Sequence, residues 1–311
     1  MTRGLHPDAL AIVQNSAGLP ALSDGTVAEA RRRFAEGSKA FGAGPSLDHV
    51  EDRDIPGRAG TIRCRIYRAG PQSAGVVVHM HGGGWVIGAI EDFDAYARAL
   101  TLASGCTVVL PDYRLAPEHR FPAGLEDAED IIRWAHDQRD TLGGRPEAPL
   151  IVSGDSDGAN LAAVANLRLA GEVPVRLQIL YYPVTDCDFE TPSYRAHGEG
   201  MPLKGRDIRW FFQHYADPQD WPSADISPLR SDKLNLSPPT ILITAEFDTL
   251  LDEGRAYAER LDQAGVNISY RELPGLPHGF IRWLDFCAPS RDELIRVGRE
   301  IRQACGSVGR G

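Results

Sequence analysis

The stretch LIVSGDSDGAN, residues 150–160, raises the central question about this chain. An apolar run typical of a buried strand breaks into GDSDG, a Gly-x-Ser-x-Gly motif centred on Ser156, and a helix-favouring segment follows. A sharp turn of this kind exposes a serine Oγ at the carboxyl end of a sheet, and glycine on either side keeps the turn free of bulk. Because glycine and serine are also common in ordinary turns, the motif alone leaves two interpretations open, a nucleophile or a simple strand-to-helix connection.

Short apolar runs alternate with helical patterns along most of the chain. We predict strands at 61–68, 75–84, 106–114, 149–154, 175–182, 240–247 and 268–273. We predict helices at 122–138, 158–170, 253–264 and near 291–304. This alternation predicts an α/β fold with a mostly parallel central sheet that is flanked by helices on both faces.

Two segments interrupt the alternation. Residues 1–47 carry helical patterns without a strand, and residues 186–226 contain the aromatic stretch RDIRWFFQHYADPQDW between loops rich in Pro and Gly. Both are expected to lie over the sheet as a helical cap. Residues 48–185 and 227–311 then form the main α/β domain.

The aromatic side chains of the second cap segment have two possible roles. Trp210, Phe211 and Phe212 either pack the cap onto the sheet or line a pocket beneath it. A lid has to do both, so these three residues are candidates for substrate binding. Trp85, which follows a run of glycines, is a fourth candidate.

Composition excludes several classes of protein. The 311 residues are 42% hydrophobic and 24% charged, which is ordinary for a globular chain. The net charge of −10 with no basic run argues against nucleic-acid binding. Five scattered cysteines indicate neither a disulfide framework nor a zinc site. No stretch approaches the length of an apolar membrane span, and the N-terminus lacks the apolar region of a secretory signal, so we expect a cytoplasmic protein.

A second glycine-rich turn, HMHGGGWVIG (79–88), also follows a predicted strand. Acyl transfer produces a tetrahedral oxyanion, and successive glycines let backbone N–H groups approach it closely. A phosphate-binding loop is the competing interpretation, but the stretch has neither Gly-Lys-Ser/Thr nor a Gly-x-Gly-x-x-Gly that opens a helix. His79 and His81 have no third ligand cluster nearby in the sequence, so no metal or cofactor is expected, and His81 is expected to support the loop.

A serine nucleophile needs a general base and an acid that orients the base. His278 lies in the loop LPGLPHGFIRW (273–283), and Asp248 ends a predicted strand in ILITAEFDTLLDEG (241–254). The chain order Ser156, Asp248, His278 is the order of an α/β-hydrolase triad. Asp252 is a rival acid, but its place in the first turn of a predicted helix explains it without catalysis.

Six motifs occur in order: HGGGW, PDYRLAPEHRFPAGLED, GDSDGAN, YYPVTD, AEFDTLLDEG and GLPHGF. Between about residues 60 and 285 the chain resembles the bacterial hormone-sensitive-lipase-like esterases of the α/β-hydrolase fold. The resemblance implies a carboxylesterase with the triad above and with oxyanion donors from the N–H groups of Gly82, Gly83 and Asp157. It also implies a small ester substrate with a short to medium acyl chain, no cofactor and a possible homodimer. The charged residues of the second motif, Asp112, Arg114 and Glu118, are expected to fix a turn and start a helix.

One position departs from the usual GDSAGGN pattern of these esterases in a way that matters for chemistry. Asp157 replaces alanine, and a carboxylate facing the oxyanion at ~5 Å would oppose it by roughly 3 kcal/mol at an effective dielectric of 20. We expect the side chain to turn away and stabilise the N-terminus of the following helix. The alternative is a side chain that faces the pocket and meets a polar or cationic group of the substrate.

Two other functions stay open on the sequence alone. An amidase or deacetylase acting on a small metabolite would use the same triad, because amides and esters pass through the same oxyanion. A non-catalytic ligand-binding protein of the same fold is the other alternative. His278 argues against it, whereas Asp157 at the oxyanion site favours it.

Overall fold

The computed structural model describes residues 4–16 and 18–306. Its centre is an eight-stranded sheet whose strands are, in chain order, β1 His49–Gly57, β2 Gly60–Arg68, β3 Val76–Met80, β4 Thr107–Pro111, β5 Leu150–Asp155, β6 Leu177–Tyr181, β7 Thr240–Phe247 and β8 Ile268–Pro277. The spatial order is β1-β2-β4-β3-β5-β6-β7-β8. β2 pairs antiparallel with β1 and β4, and all other neighbours are parallel. The predicted mostly parallel α/β sheet is therefore confirmed.

Helices cover both faces of the sheet. They are α1 Pro7–Ser16, α2 Val27–Ser38, α3 Ile90–Ser104, α4 Ala123–Asp137, α5 Arg139–Gly143, α6 Asp157–Arg168, α7 Pro192–His197, α8 Gly205–Tyr215, α9 Leu251–Gln263 and α10 Ala288–Gly306. Alternate residues of β3 show the two layers. Val76 and Val78 pack in the core that includes α4, α6 and α9, and Val77 packs in the core that includes α3 and α10. Strands buried on both faces explain the continuous Val, Ile and Leu runs in the sequence.

Several elements differ from the sequence-based prediction. β1, α3 and the short helices α5 and α7 were not predicted, and β8 continues to Pro277 rather than ending at 273. The extension is possible because β7 and β8 shift register, so that Phe247 pairs with Pro277. This longer strand brings the following loop to the edge of the sheet where β7 also ends.

The two segments expected to form a cap contain helices and, among their described residues, no strand. α1 and α2 belong to the first segment, and α7 and α8 belong to the second. Residues 1–3 and 17 of the first segment, and residues 307–311 of the main domain, lie outside the described residues. Within the described ranges, no helix has the length and apolar character needed to cross a membrane.

Candidate active site

Ser156 occupies the sharp turn between β5 and α6. Its backbone has φ 57° and ψ −121°, a region that side-chain-bearing residues rarely adopt and that costs about 1–3 kcal/mol. The two flanking glycines are required by close backbone contacts. A Cβ on Gly154 would lie 2.3 Å from the Gly158 carbonyl oxygen, and one on Gly158 would lie 2.1 Å from the Met80 carbonyl oxygen. The chain therefore maintains a strained turn that presents a serine hydroxyl.

His278 and Asp248 meet Ser156 from the loops that follow β8 and β7. The His278 Nε2 atom is 3.0 Å from Ser156 Oγ, and its Nδ1 atom is 2.7 Å from Asp248 Oδ2. Asp248 is almost fully buried, and its other carboxylate oxygen accepts the N–H of Leu250 at 3.0 Å. The carboxylate is thus fixed from both sides, and the three predicted residues lie in one hydrogen-bonded row.

The rival acid Asp252 lies elsewhere. It is in the first turn of α9, as expected, and its Oδ2 accepts the N–H of Ser193 at 2.7 Å. Its other oxygen forms an ion pair with Arg255. Asp252 thus joins α9 to α7, and Asp248 is the acid in contact with His278.

The glycine loop after β3 lies directly against the serine turn. The Gly82 N–H donates to Asp155 Oδ1 at 2.8 Å, and the Gly83 N–H donates to Asp157 Oδ1 at 2.5 Å. Both of these predicted oxyanion donors therefore have a carboxylate acceptor in this structure. The third predicted donor, the Asp157 N–H, makes no hydrogen bond with any described residue.

The Asp157 side chain corrects the expectation drawn from the sequence. It turns away from the pocket, as expected, but its partners are not the N–H groups of its own helix. Oδ1 also accepts the Gly84 N–H at 2.5 Å, and Oδ2 accepts the Trp85 N–H at 2.8 Å and the Tyr113 hydroxyl at 2.9 Å. The carboxyl group is completely buried, and desolvation raises its pKa to about 7 although these hydrogen bonds favour the charged form.

The histidines before the glycines support the loop. His81 stacks on Tyr113 with ring centroids 4.4 Å apart, its Nδ1 is 3.0 Å from the Gly82 carbonyl oxygen, and burial lowers its pKa. His79 Nδ1 lies 3.1 Å from Ser153 Oγ. In the part of the chain that the structure describes, no group of three or more His, Cys, Asp or Glu side chains could hold a metal ion.

The charged residues of the PDYRLAPEH motif make structural contacts. Asp112 Oδ1 accepts the N–H of Ile90 at the start of α3, Arg114 binds Asp127 through two nitrogens, and Glu118 pairs with Arg31. Tyr113 was missed by the sequence reasoning. It lies between two residues judged to be structural, and only the fold shows that its hydroxyl contacts Asp157.

A cavity of about 340 Å³ opens above Ser156 and His278. Its walls are mostly apolar, and residues from both expected cap segments, among them Phe34 and Phe211, line it together with the glycine loop. Only Phe211 of the four aromatic candidates lines this cavity, because successive residues of α8 point in directions about 100° apart.

The other three aromatic candidates do not line this cavity. Trp85 is buried and stacks on Tyr215 at 4.2 Å, and Phe212 packs edge-on against Trp85 at 5.1 Å. Trp210 lies against His214 at 4.4 Å. Trp85 and Phe212 thus join α8 to the glycine loop, whereas the ring contacts of Trp210 stay within α8.

Comparison with known proteins agrees with this geometry. A family model described as the α/β hydrolase fold matches residues 77–282. The chain is 36% identical over 285 residues to an ethyl acetate hydrolase of Pseudomonas putida, covering 88% of this chain and 89% of that protein. It is 40% identical over 272 residues to the carboxylic ester hydrolase LipN of Mycobacterium tuberculosis, covering 82% and 72%.

Solved structures give the same result. A hyperthermophilic esterase from Pyrobaculum calidifontis superposes with a TM-score of 0.91 at 37% identity, over 96% of this chain and 98% of that one. A thermostable esterase from Pseudomonas putida superposes with a TM-score of 0.91 at 29% identity, over 98% and 99%. The chain belongs to the α/β-hydrolase family, in its hormone-sensitive-lipase-like carboxylesterase branch.

Proposed function

We propose that this chain is a serine carboxylesterase in which Ser156 is the nucleophile, His278 the general base and acid, and Asp248 the residue that orients His278. One observation carries the proposal: a strained turn presents Ser156 Oγ 3.0 Å from His278 Nε2, and Asp248 holds Nδ1 at 2.7 Å. Hydrogen-bond contact from nucleophile to base and from base to acid is the requirement for activating a serine hydroxyl.

The reaction then runs in two stages. His278 Nε2 accepts the Ser156 proton while Oγ bonds to the ester carbonyl carbon, and Asp248 stabilises the resulting imidazolium. Collapse of the tetrahedral intermediate breaks the bond to the alcohol oxygen, which leaves with the proton from His278. Water then gives a proton to His278 and attacks the acyl-enzyme, and the carboxylic acid departs as the proton returns to Oγ.

The oxyanion of each intermediate needs backbone donors. We propose Gly82, Gly83 and Asp157, of which the Asp157 N–H is the one without an acceptor among the described residues. The Gly82 and Gly83 N–H groups contribute only by turning from the carboxylates that they contact. Each donor is worth about 3–4 kcal/mol in enzymes of this kind, so this competition affects the rate.

The cavity favours small esters. Its 340 Å³ is at the lower end of the range for ligand pockets, and its apolar walls suit a short to medium acyl chain. We further propose that 1–47 and 186–226 act as the cap over this cavity and that 48–185 and 227–311 form the catalytic domain. A cytoplasmic location and a homodimer stay predictions, which cell fractionation and size-exclusion chromatography with light scattering would test.

Hydrolysis of 4-nitrophenyl esters from acetate to laurate, with one 4-nitroanilide, tests the function. We expect turnover of the short esters and its loss in Ser156→Ala. Ser153→Ala is the matched control, because Ser153 is buried in β5, the strand that leads to Ser156, but contacts His79. Activity of Ser156→Ala within about tenfold of the wild type would contradict the assignment. Faster turnover of the anilide than of the ester would favour an amidase.

One observation favours the alternative of a non-catalytic binding protein: the Gly83 N–H donates to the Asp157 carboxylate rather than pointing freely at an oxyanion. A fluorophosphonate separates the two functions, because it forms a covalent bond only with an activated serine. We expect labelling of the wild type at Ser156 and none in His278→Ala. An unlabelled, folded wild type that still binds small esters would support the non-catalytic function.

A further inference from the structure

The guanidinium of Arg282 lines the same cavity as Ser156 and His278 and is enclosed by aromatic rings. Its Cζ atom lies 4.3, 4.6 and 4.8 Å from the ring centroids of Phe34, Phe41 and Phe93. Rings stabilise the faces of a guanidinium but accept none of the hydrogen bonds that its edge can donate. The group is therefore held in place with its donor edge largely unused.

Of the three guanidinium nitrogens of Arg282, one has a hydrogen-bond acceptor among the described residues. Nη2 donates to Ser38 Oγ, Nε is buried without an acceptor, and Nη1 donates to no described residue. No carboxylate in the described part of the chain forms an ion pair with it. Burial lowers the pKa of Arg282 to about 10, and the charges of Asp92 and Asp155 oppose this shift only in part.

Arg271, which is also strongly buried, shows a different arrangement in which carboxylates neutralise the charge. Arg271 donates to Glu293 at 2.7 Å through Nε and to Glu300 at 2.8 Å through Nη2. A desolvated cation without such partners is unfavourable, so an unpaired one in the lining of the cavity that contains Ser156 requires an explanation. The chain has 43 acidic residues against 33 basic ones, so acids are not scarce.

Further positive charge faces the cavity. Arg33 and Lys204 line it and donate to backbone carbonyl oxygens of residues 19–21. Among the acids of the lining, Asp207 accepts two hydrogen bonds from Ser23, and Asp155 accepts the Gly82 N–H. The cavity is thus apolar with an excess of positive charge in a chain of net charge −10.

We propose that Arg282 binds a carboxylate of the substrate, so that the preferred substrates are esters that also carry a free carboxylate group. This inference rests on the proposed esterase function and narrows its substrate class. The planar edge of a guanidinium matches a carboxylate through two parallel charge-assisted hydrogen bonds, which are stronger than hydrogen bonds between neutral groups. The apolar walls hold the carbon chain between the ester and the acid.

Paired substrates test the proposal. In the first pair the carboxylate is in the acyl part: mono(4-nitrophenyl) glutarate is compared with the analogue in which its free acid is an amide. In the second pair the carboxylate is in the alcohol part: 4-acetoxybenzoate is compared with 4-acetoxybenzamide. For the wild type we expect kcat/KM at least about tenfold higher for the acid than for the amide in one pair, which identifies where the carboxylate lies. A ratio of one or less in both pairs overturns the proposal.

Variants show whether Arg282 is responsible. Arg282→Gln should lower the acid-to-amide ratio at least about fivefold, and Arg282→Lys should lower it less because the charge is kept without the planar edge. Arg209→Gln is the matched control, because Arg209 also stacks on a ring, that of Phe189, but lies outside the cavity lining. If the acid-to-amide ratio falls less than this in Arg282→Gln, Arg282 only fastens α2 to the core, and the proposal is then wrong.

Binding without turnover separates this proposal from the esterase function. In Ser156→Ala, titration calorimetry should show monomethyl glutarate binding at least about tenfold more tightly than dimethyl glutarate. The preference should disappear when Arg282→Gln is added. Equal binding of the two ligands overturns the carboxylate site. Carboxylate-dependent binding in a protein that hydrolyses no ester would instead overturn the proposed function alone.

Discussion

Replacing Asp157 by alanine should increase esterase activity at alkaline pH and change it little at acidic pH. The carboxylate holds the Gly83 N–H at 2.5 Å, and its pKa is about 7, so it is largely protonated below that pH and ionised above it. Only the ionised form both binds the N–H strongly and places a negative charge beside the developing oxyanion. Alanine removes both effects.

The structure sets the size of the effect. An oxyanion that receives a hydrogen bond of about 2.9 Å from the Gly83 nitrogen is at most about 5 Å from Asp157 Oδ1, because that oxygen is 2.5 Å from the same nitrogen. Two negative charges at this separation repel by roughly 3 kcal/mol at an effective dielectric of 20. The three N–H groups and the Tyr113 hydroxyl offset part of the charge. We therefore expect about a tenfold gain in kcat/KM rather than the full hundredfold.

The assay compares Asp157→Ala with the wild type from about pH 5.5 to 9 on a neutral 4-nitrophenyl ester, followed at the isosbestic wavelength of nitrophenol. The ratio of the two kcat/KM values removes every pH dependence that the two proteins share. It should rise from near one to about ten, with a midpoint near pH 7. A ratio that stays within about threefold of one at every pH would refute the reasoning.

Tyr113→Phe is the companion variant. The Tyr113 hydroxyl donates to Asp157 and lowers the pKa of that carboxyl group, so its removal should move the midpoint to higher pH. The shift is measured as the ratio of Tyr113→Phe to the double variant Tyr113→Phe/Asp157→Ala. A midpoint that does not move would mean that another group titrates.

The same carboxyl group makes a prediction about stability. Its folded-state pKa of about 7 lies above the ordinary value of 3.8, so the folded protein binds this proton more tightly than the unfolded chain does. The stabilisation is complete below the unfolded pKa and is lost as the pH rises through the folded one. Between about pH 5 and 8 the wild type should lose roughly 3 kcal/mol relative to Asp157→Ala, measured by urea unfolding at each pH. Parallel stability curves for the two proteins would contradict the buried titration.

Three further predictions follow from contacts in the structure. Asp248→Asn should lower kcat about 10⁴-fold and Asp252→Asn only a few fold, since Asp248 is the acid on His278; similar losses in ester assays would contradict this. Gly158→Ala should lower the free energy of unfolding by about 3 kcal/mol or more in thermal denaturation, because its Cβ would lie 2.1 Å from a backbone oxygen of β3; an unchanged Tm would disprove the clash. Arg114→Met should cost about 3 kcal/mol of stability by leaving buried Asp127 unpaired, with kcat of the folded protein retained; loss of kcat at unchanged stability would assign Arg114 to catalysis instead.

The strands that carry the site residues could be predicted from the sequence, whereas the edge strand β1 could not. β3, β5 and β7 are apolar runs with a glycine or an aspartate at or within two residues after their ends, so their place and their edge follow from the sequence. β1 is an edge strand, HVEDRDIPG, with a single buried side chain, and only its pairing with β2 defines it. α3 differs, because its apolar residues already recur at helical spacing with acids in the first turn and Gly105 at its end. It was predictable and was missed.

The residues of the candidate site were also predictable in part. The order of Ser156, Asp248 and His278 is a property of sequence motifs, and these residues meet because parallel strands end at one edge. Side-chain direction within a helix is a finer property. One step along α8 separates Phe211, which lines the cavity, from Phe212, which is buried against Trp85. The contact of Asp157 with a loop more than 70 residues away could not be inferred from local patterns.

The two acids beside the nucleophile have one role in common. Asp155 binds the Gly82 N–H, and Asp157 binds the next three N–H groups along the loop, so four consecutive amides are fixed by the residues that flank Ser156. The turn that positions Oγ therefore also sets the direction of the loop N–H groups, and neither can shift without the other. An oxyanion must then accept a hydrogen bond either from the Asp157 N–H, which has no acceptor among the described residues, or from a loop amide that has left its carboxylate. Since a carboxylate releases an amide more readily once it is protonated, the pH dependence of Asp157→Ala separates these two routes.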